Sequence, residues 1–287
     1  VQGMLARLGA DADRALCELP PMFAPVTWRA VAINAVMAGC RPDYLPVIGA
    51  ATEAMAAPEF NLLGIATTTG SAATLVIVNG PVAAAIGMNA RANALGPGNR
   101  ANATIGRAVR LVLQNVGGAR AGEIDMATLG QPAKYTFCFA ENELESPWMP
   151  LHVERGFAVG DSVVTVVGAS GVVEVVDSAS REPADLARTF AHSMRIAGSL
   201  GGGGTLGGGE PLLVIPPEQA RMLAQAGCSK AQFRQAVWEQ AVMPLHDLSP
   251  AVRDHLLGRV DGEPALAGAN ASLRVAAHAE DILVAVA

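Results

Sequence analysis

Two stretches of this chain carry the same order of features: Thr74-Leu-Val-Ile-Val-Asn-Gly-Pro-Val-Ala-Ala-Ala-Ile and Pro211-Leu-Leu-Val-Ile-Pro-Pro-Glu-Gln-Ala-Arg-Met-Leu. Each reads as an apolar strand of the buried type, a proline turn and a helix, with Pro81 matching Pro217. Each also follows a Gly/Thr/Ser-rich loop and a helix. The repetition predicts an α/β protein of two related halves, with helices flanking mixed sheets. Within 287 residues the pattern places a helical region at 1–58, a first α/β half at 59–160 and a second at 161–287. The second half closes on the apolar run Asp281–Ala287, which is expected to lead into further sequence.

Periodicity fills in the remaining elements. Helices are expected over Val1–Glu18, Thr27–Ala38 and Tyr44–Met55, the first broken by Pro20-Pro21. Strands are expected over Asn61–Thr69, Thr74–Val78 and Tyr135–Ala140. A strand pair over Ser162–Val167 and Val172–Val176 would turn at Gly168–Gly171. Ile105, Ala108, Val109, Val112, Leu113 and Val116 trace one face of a helix that stops at Gly117-Gly118. Further helices are expected over Ala184–Ile196, Lys230–Ala241 and Ala251–Leu257. The glycines at 201–204 and 207–209 form a loop with no intrinsic shape.

Composition excludes several classes. The chain is 51% apolar and 16% charged, but Gly, Asn, Pro or a charge interrupts each apolar run before the roughly 20 residues of a membrane span. No membrane partner is expected, and the first residues lack the basic-then-apolar pattern of a secretory signal. A net charge of −6 opposes a nucleic-acid partner. Cys17, Cys40, Cys138 and Cys228 are widely spaced, as for reduced thiols in the cytoplasm.

Three stretches carry candidate chemistry. Asn93-Ala-Leu-Gly-Pro-Gly-Asn-Arg100 runs straight into the helix holding Arg107. Unpaired N–H groups at a helix start favour an anion, so Gly96, Gly98, Asn99, Arg100 and Arg107 are the anion-binding candidates. The spacing is neither the dinucleotide fingerprint nor the P-loop. Thr68, Thr69 and Asn79 join them, in loops expected to follow strands, where α/β sheets collect ligands. The second stretch, Lys134–Phe157, packs Glu141, Glu143, His152 and Glu154 into little chain. On extended backbone Glu141 and Glu143 share a face, as do His152 and Glu154, which suits general acid/base work or a divalent metal. No standard metal-binding spacing is present, and a structural reading sets Glu141 and the Glu154-Arg155 pair in buried hydrogen bonds. The third is Ala38-Gly-Cys40-Arg41-Pro42-Asp43, where a helix start and Arg41 would lower the thiol pKa of Cys40, against its alternative as a small buried hydrophobe. A serine hydrolase is not indicated, since G-x-S-x-G is absent.

Val31–Val47, Asn93–Gly118 and Lys134–Phe157 together resemble the large domain associated with the UGSC motif, a family of bacterial proteins. In that family a short segment carries selenocysteine or cysteine followed by Gly-Ser-Cys, either downstream or as a separate polypeptide. The resemblance implies selenol or thiol redox chemistry. No Cys-Gly-Ser-Cys occurs in this chain, so the resemblance carries over the domain and not an activity: the redox segment lies downstream, is supplied by a partner chain, or the protein works without it. The expected function is an enzyme component for thiol- or selenol-dependent redox conversion of a small anionic molecule. Cys40 would be its thiol, while Glu141, Glu143, His152 and Glu154 move protons. Two alternatives are a metal-dependent hydrolase or lyase using the Glu/His run, and a non-catalytic binding subunit for a UGSC partner. Cofactor identity and homo-oligomer formation are left open.

Overall fold

The computed structural model describes residues 1–9, 11–200, 210–257 and 272–287. It is an α/β protein with small sheets flanked by helices. The chain divides into two compact units, one of residues 1–144 and 149–171, the other of 145–148 and 172–286.

The first unit opens with helix α1 (Gln2–Leu8), which ends at Gly9 in the left-handed conformation. Strands β1 (Ala15–Leu19) and β2 (Ala24–Thr27) then pair antiparallel. Helix periodicity over 1–18 therefore continues only to Leu8, because Gly9 stops the helix and the hairpin recruits the residues after it. Thr27 caps α2 (Trp28–Ala38) by accepting from Ala30 N, and Gly39 closes it in the left-handed region. Next come α3 (Leu45–Ala56) and α4 (Leu62–Thr67). The run 61–69 is thus a capped helical turn, not a strand: the Asn61 side chain accepts from Gly64 N. Short apolar runs do not distinguish the two by periodicity alone.

Strand β3 (Ala73–Asn79) leads through Gly80 into α5 (Pro81–Ala85), and a long loop leads into α6 (Arg100–Asn115). Strand β4 (Cys138–Ala140), the helical turn α7 (Leu151–Glu154) and β5 (Val163–Ala169) complete the unit. The sheet order is β4-β3-β5, with β3 parallel to β4 and antiparallel to β5. β5 pairs with β3, and Val172–Val176 form no strand. Val31, Ile48 and Met55 share one core with Val76, Val78, Ile105 and Val112, so residues 1–58 are built into the same unit as the sheet. β3 is buried from Leu75 to Asn79, which explains its unbroken apolar run.

The second unit contains α8 (Pro183–Leu200), β6 (Leu212–Ile215), α9 (Pro217–Gln225), α10 (Lys230–Gln240), β7 (Val242–Pro244), α11 (Pro250–Leu257), β8 (Ser272–Arg274) and β9 (Leu283–Val286). β6 pairs parallel with β9, and β7 antiparallel with β8. Leu186, Phe190, Ile215, Leu223, Phe233 and Val284 form its core. Pro81 and Pro217 both stand in the first turn of the helix after their strand, where a missing N–H costs nothing. The glycine loop at 201–209 lies outside the described residues.

Gly106 sets how closely α6 approaches β4. A Cβ there would meet Thr136 Oγ1 at 2.5 Å and Phe137 N at 2.6 Å. Gly106→Ala gains about 1 kcal/mol of helix propensity, but overpacking against backbone costs about 1–3 kcal/mol. The substitution is therefore expected to lower the urea midpoint of unfolding, and an unchanged or raised midpoint would contradict this packing.

Candidate functional site

Parallel pairing of β3 with β4 brings Val78 beside Ala140, so the next residues, Asn79 and Glu141, emerge together at the carboxyl ends of the two strands. Glu141 extends the ladder by donating its N–H to Val78 O at 3.2 Å. The Asn79 side-chain amide then donates to both acids, to Glu141 Oε2 at 2.6 Å and to Glu143 Oε1 at 2.9 Å. Carboxylates only accept, so two of them fix which end of the amide faces them. Gly80 N donates to Glu143 Oε1 at 2.7 Å and Leu151 N to Glu141 Oε2 at 2.8 Å. The first turn of α7 is thereby tied to the strand ends. Gly80 has φ of 80°, and a Cβ there would run into the carbonyl of Asp161, so the turn requires glycine.

His152 is fully buried beside this cluster. Its Nδ1 lies 3.8 Å from Glu143 Oε1, beyond hydrogen-bond range, and neither ring nitrogen has a partner among the described residues. Asn79 Oδ1 is likewise buried without a partner. Glu143 is the more open of the acids, its side chain 24% exposed. The cluster thus holds two carboxylates bridged by one amide, a second amide face that can accept, and an imidazole with both nitrogens uncommitted. Such a set can hold or relay a proton.

The remaining candidates are distributed differently. His152 and Glu154 do not share a face, because they are two residues apart on the helical turn α7 and not on extended backbone. Among the described residues no three of His, Cys, Asp and Glu are grouped to hold a metal ion. Asn99 is the cap of α6, accepting from Asn102 N at 3.0 Å and donating to Gly87 O. The Asn93 side chain closes the loop on Pro97 O, and Gly96 packs against that side chain. Gly98 has φ of 112°. Arg100 is engaged away from the loop's backbone: its Nε and Nη2 donate to Gly39 O at 3.0 and 2.8 Å, satisfying the carboxyl end of α2. Arg107 makes no hydrogen bond or ion pair among the described residues. Thr68 and Thr69 precede β3, with Thr68 Oγ1 accepting from Gly70 N and Thr69 O accepting from Thr128 N. They lie at the amino end of the strand, whereas Asn79 lies at its carboxyl end, since 61–69 is not a strand.

Cys40 departs most from expectation. Its Sγ–H donates to Thr104 O at 3.1 Å in the core between α2 and α6, and Arg41 pairs instead with Asp43. Burial pushes the thiol up to about 11, over smaller downward pulls from the Thr104 hydrogen bond and the Arg100 charge. Cys40 is therefore a neutral thiol near pH 7, not a thiolate. Burial raises the Cys138 thiol in the same way, and neighbouring Cys40 adds to it.

Sequence reasoning missed a second charged group: Arg110, Asp125 and Lys134, at the other end of the sheet. The available signal was Arg110 lying within the apolar stretch of α6.

No protein-family model matches the chain, and neither a curated protein nor a solved structure matches it.

Asn79→Asp is nearly isosteric but sets a third carboxylate against two others in a buried position. It is expected to cost about 3–5 kcal/mol at neutral pH, the range for an uncompensated buried charge. The new acid is harder to ionise in the folded chain than in the unfolded one, so the deficit should shrink as pH falls toward about 4. Urea titrations across that range check it, and a variant as stable as wild type at pH 7 would contradict the clamp.

Proposed function

We propose that this chain is the larger component of an enzyme for thiol- or selenol-dependent redox conversion of a small anionic molecule. In this reading Glu141, Glu143 and His152 manage protons, and the reactive thiol or selenol comes from a Sec/Cys-Gly-Ser-Cys segment in cis or in trans. The observation that carries it is His152, buried beside Glu143 with both ring nitrogens unbonded. Thiol activation uses an imidazole hydrogen-bonded to a carboxylate, and in this reading Glu143, the more open acid, closes on His152 Nδ1 from 3.8 Å as the segment binds. The chain's own Cys40 does not suit the part, being buried with its thiol at about 11. All four cysteines are free, in keeping with a reducing cytoplasm. Among the described residues no helix is long and apolar enough to cross a membrane.

One observation favours a second reading, a non-catalytic binding subunit for the same segment. Leu144, Met149, Phe157 and Val159 flank the cluster in sequence and are exposed, and exposed apolar side chains are what a docking surface offers.

A dye-labelled peptide carrying Cys-Gly-Ser-Cys, titrated into wild type and Glu143→Gln, separates these readings. Catalysis predicts saturable binding and a fall of about one unit in the pH at which the bound peptide is alkylated, from the ordinary thiol value near 8.5. The fall should vanish in Glu143→Gln, while Cys40 stays unmodified below pH 9 in the same samples. Binding without a pH shift would select the non-catalytic subunit. No saturable binding would defeat both readings.

A further inference from the structure

A cleft opens at the amino end of β3, between that strand and α6, with Thr74, Gly106, Arg110, Asp125 and Lys134 among its walls. Its interior volume is about 20 Å³, room for about one or two waters or a compact ionic head group. Thr74 stands five residues before Asn79 along an extended strand, roughly 17 Å away, so this cleft is separate from the carboxylate cluster.

Three charged side chains face the cleft, and their charges do not cancel. Asp125 Oδ2 accepts from Arg110 Nη2 at 3.0 Å, and its Oδ1 accepts from Lys134 Nζ at 2.6 Å and from Ala127 N at 3.3 Å. Their side chains are 4%, 15% and 14% exposed for Asp125, Arg110 and Lys134 respectively. The remaining walls are uncharged, which leaves one carboxylate facing two cations. A largely buried excess charge is costly without a partner. The hydrogen-bonding inventory is lopsided in the same sense. Asp125 engages one donor from each cation and has both oxygens occupied, while the other donors of Arg110 and Lys134 make no hydrogen bond among the described residues. Thr74 Oγ1 is buried, also without a partner. The cleft therefore offers unused donors and surplus positive charge.

We infer that this cleft is a binding site for a small oxyanion, a carboxylate or an inorganic phosphate, held by Arg110, Lys134 and the Thr74 hydroxyl. Arg110 supplies the planar fork that suits either ligand, Lys134 supplies a point charge, and Thr74 donates a neutral hydrogen bond. The site stands independently of the reading given to the carboxyl end of the sheet.

Isothermal titration of the full chain with inorganic phosphate, acetate and chloride, each at the same ionic strength, tests this. One saturable site is expected for phosphate or acetate, and whichever binds tighter names the ligand class. Lys134→Met leaves the Arg110–Asp125 pair neutral and should weaken binding by about tenfold or more, the value of a charge-assisted hydrogen bond. Thr74→Val, which keeps shape and fold, should weaken it by about threefold to tenfold. The inference is overturned if none of the three anions saturates, if chloride binds as well as both oxyanions, or if affinity is unchanged in both variants.

Discussion

The Asn79 side-chain amide holds together what would otherwise repel. Glu141 and Glu143 both reach the same nitrogen, and two carboxylates set this close repel each other unless a shared donor intervenes. Backbone donors supplement the amide: Gly80 N supports Glu143 and Leu151 N supports Glu141. The end of β3, the end of β4, the Gly80 turn and the start of α7 are thereby fastened at one point. This arrangement places His152, the next residue of α7, in a buried position beside Glu143.

Charge is segregated along β3. Its carboxyl end is rich in acceptors, with two carboxylates and the unpaired Asn79 Oδ1, whereas its amino end is rich in donors from Arg110, Lys134 and Thr74. The apolar stretch from Leu75 to Val78 separates them and is itself buried. In a low-dielectric interior the two ends can differ in electrostatic character over a short distance. Gly106 contributes by letting α6, which carries Arg110, lie close to β4.

Local pattern made the framework of the fold legible. β3 was visible because burial on both faces demands an unbroken apolar run, and α6 because its apolar face repeats at helical spacing. The proline turns after β3 and β6 were legible because Pro suits the first turn of a helix. The charged run after β4 was visible as a cluster, and Glu141 and Glu143 do meet the same amide. What could not be read depended on distant partners. Arg100 is committed to Gly39, 61 residues away, and the Cys40 thiol is raised by packing against α6, which its neighbours Arg41 and Asp43 do not disclose. Residues 61–69 failed for a local reason, since an apolar hexamer fits either element until its Asn61 cap is seen. The Arg110–Asp125–Lys134 group joins a helix to a loop that periodicity does not describe.

Amide hydrogen exchange at Gly80 and Leu151 tests the carboxylate clamp most directly, because each N–H has a single acceptor oxygen on Glu143 or Glu141. The account predicts that both exchange as slowly as the paired amides of β3, opening only with the unit as a whole. Exchange at the rate of an exposed loop amide such as that of Leu129 would show that the acids do not hold the strand ends together, and would contradict the site described above.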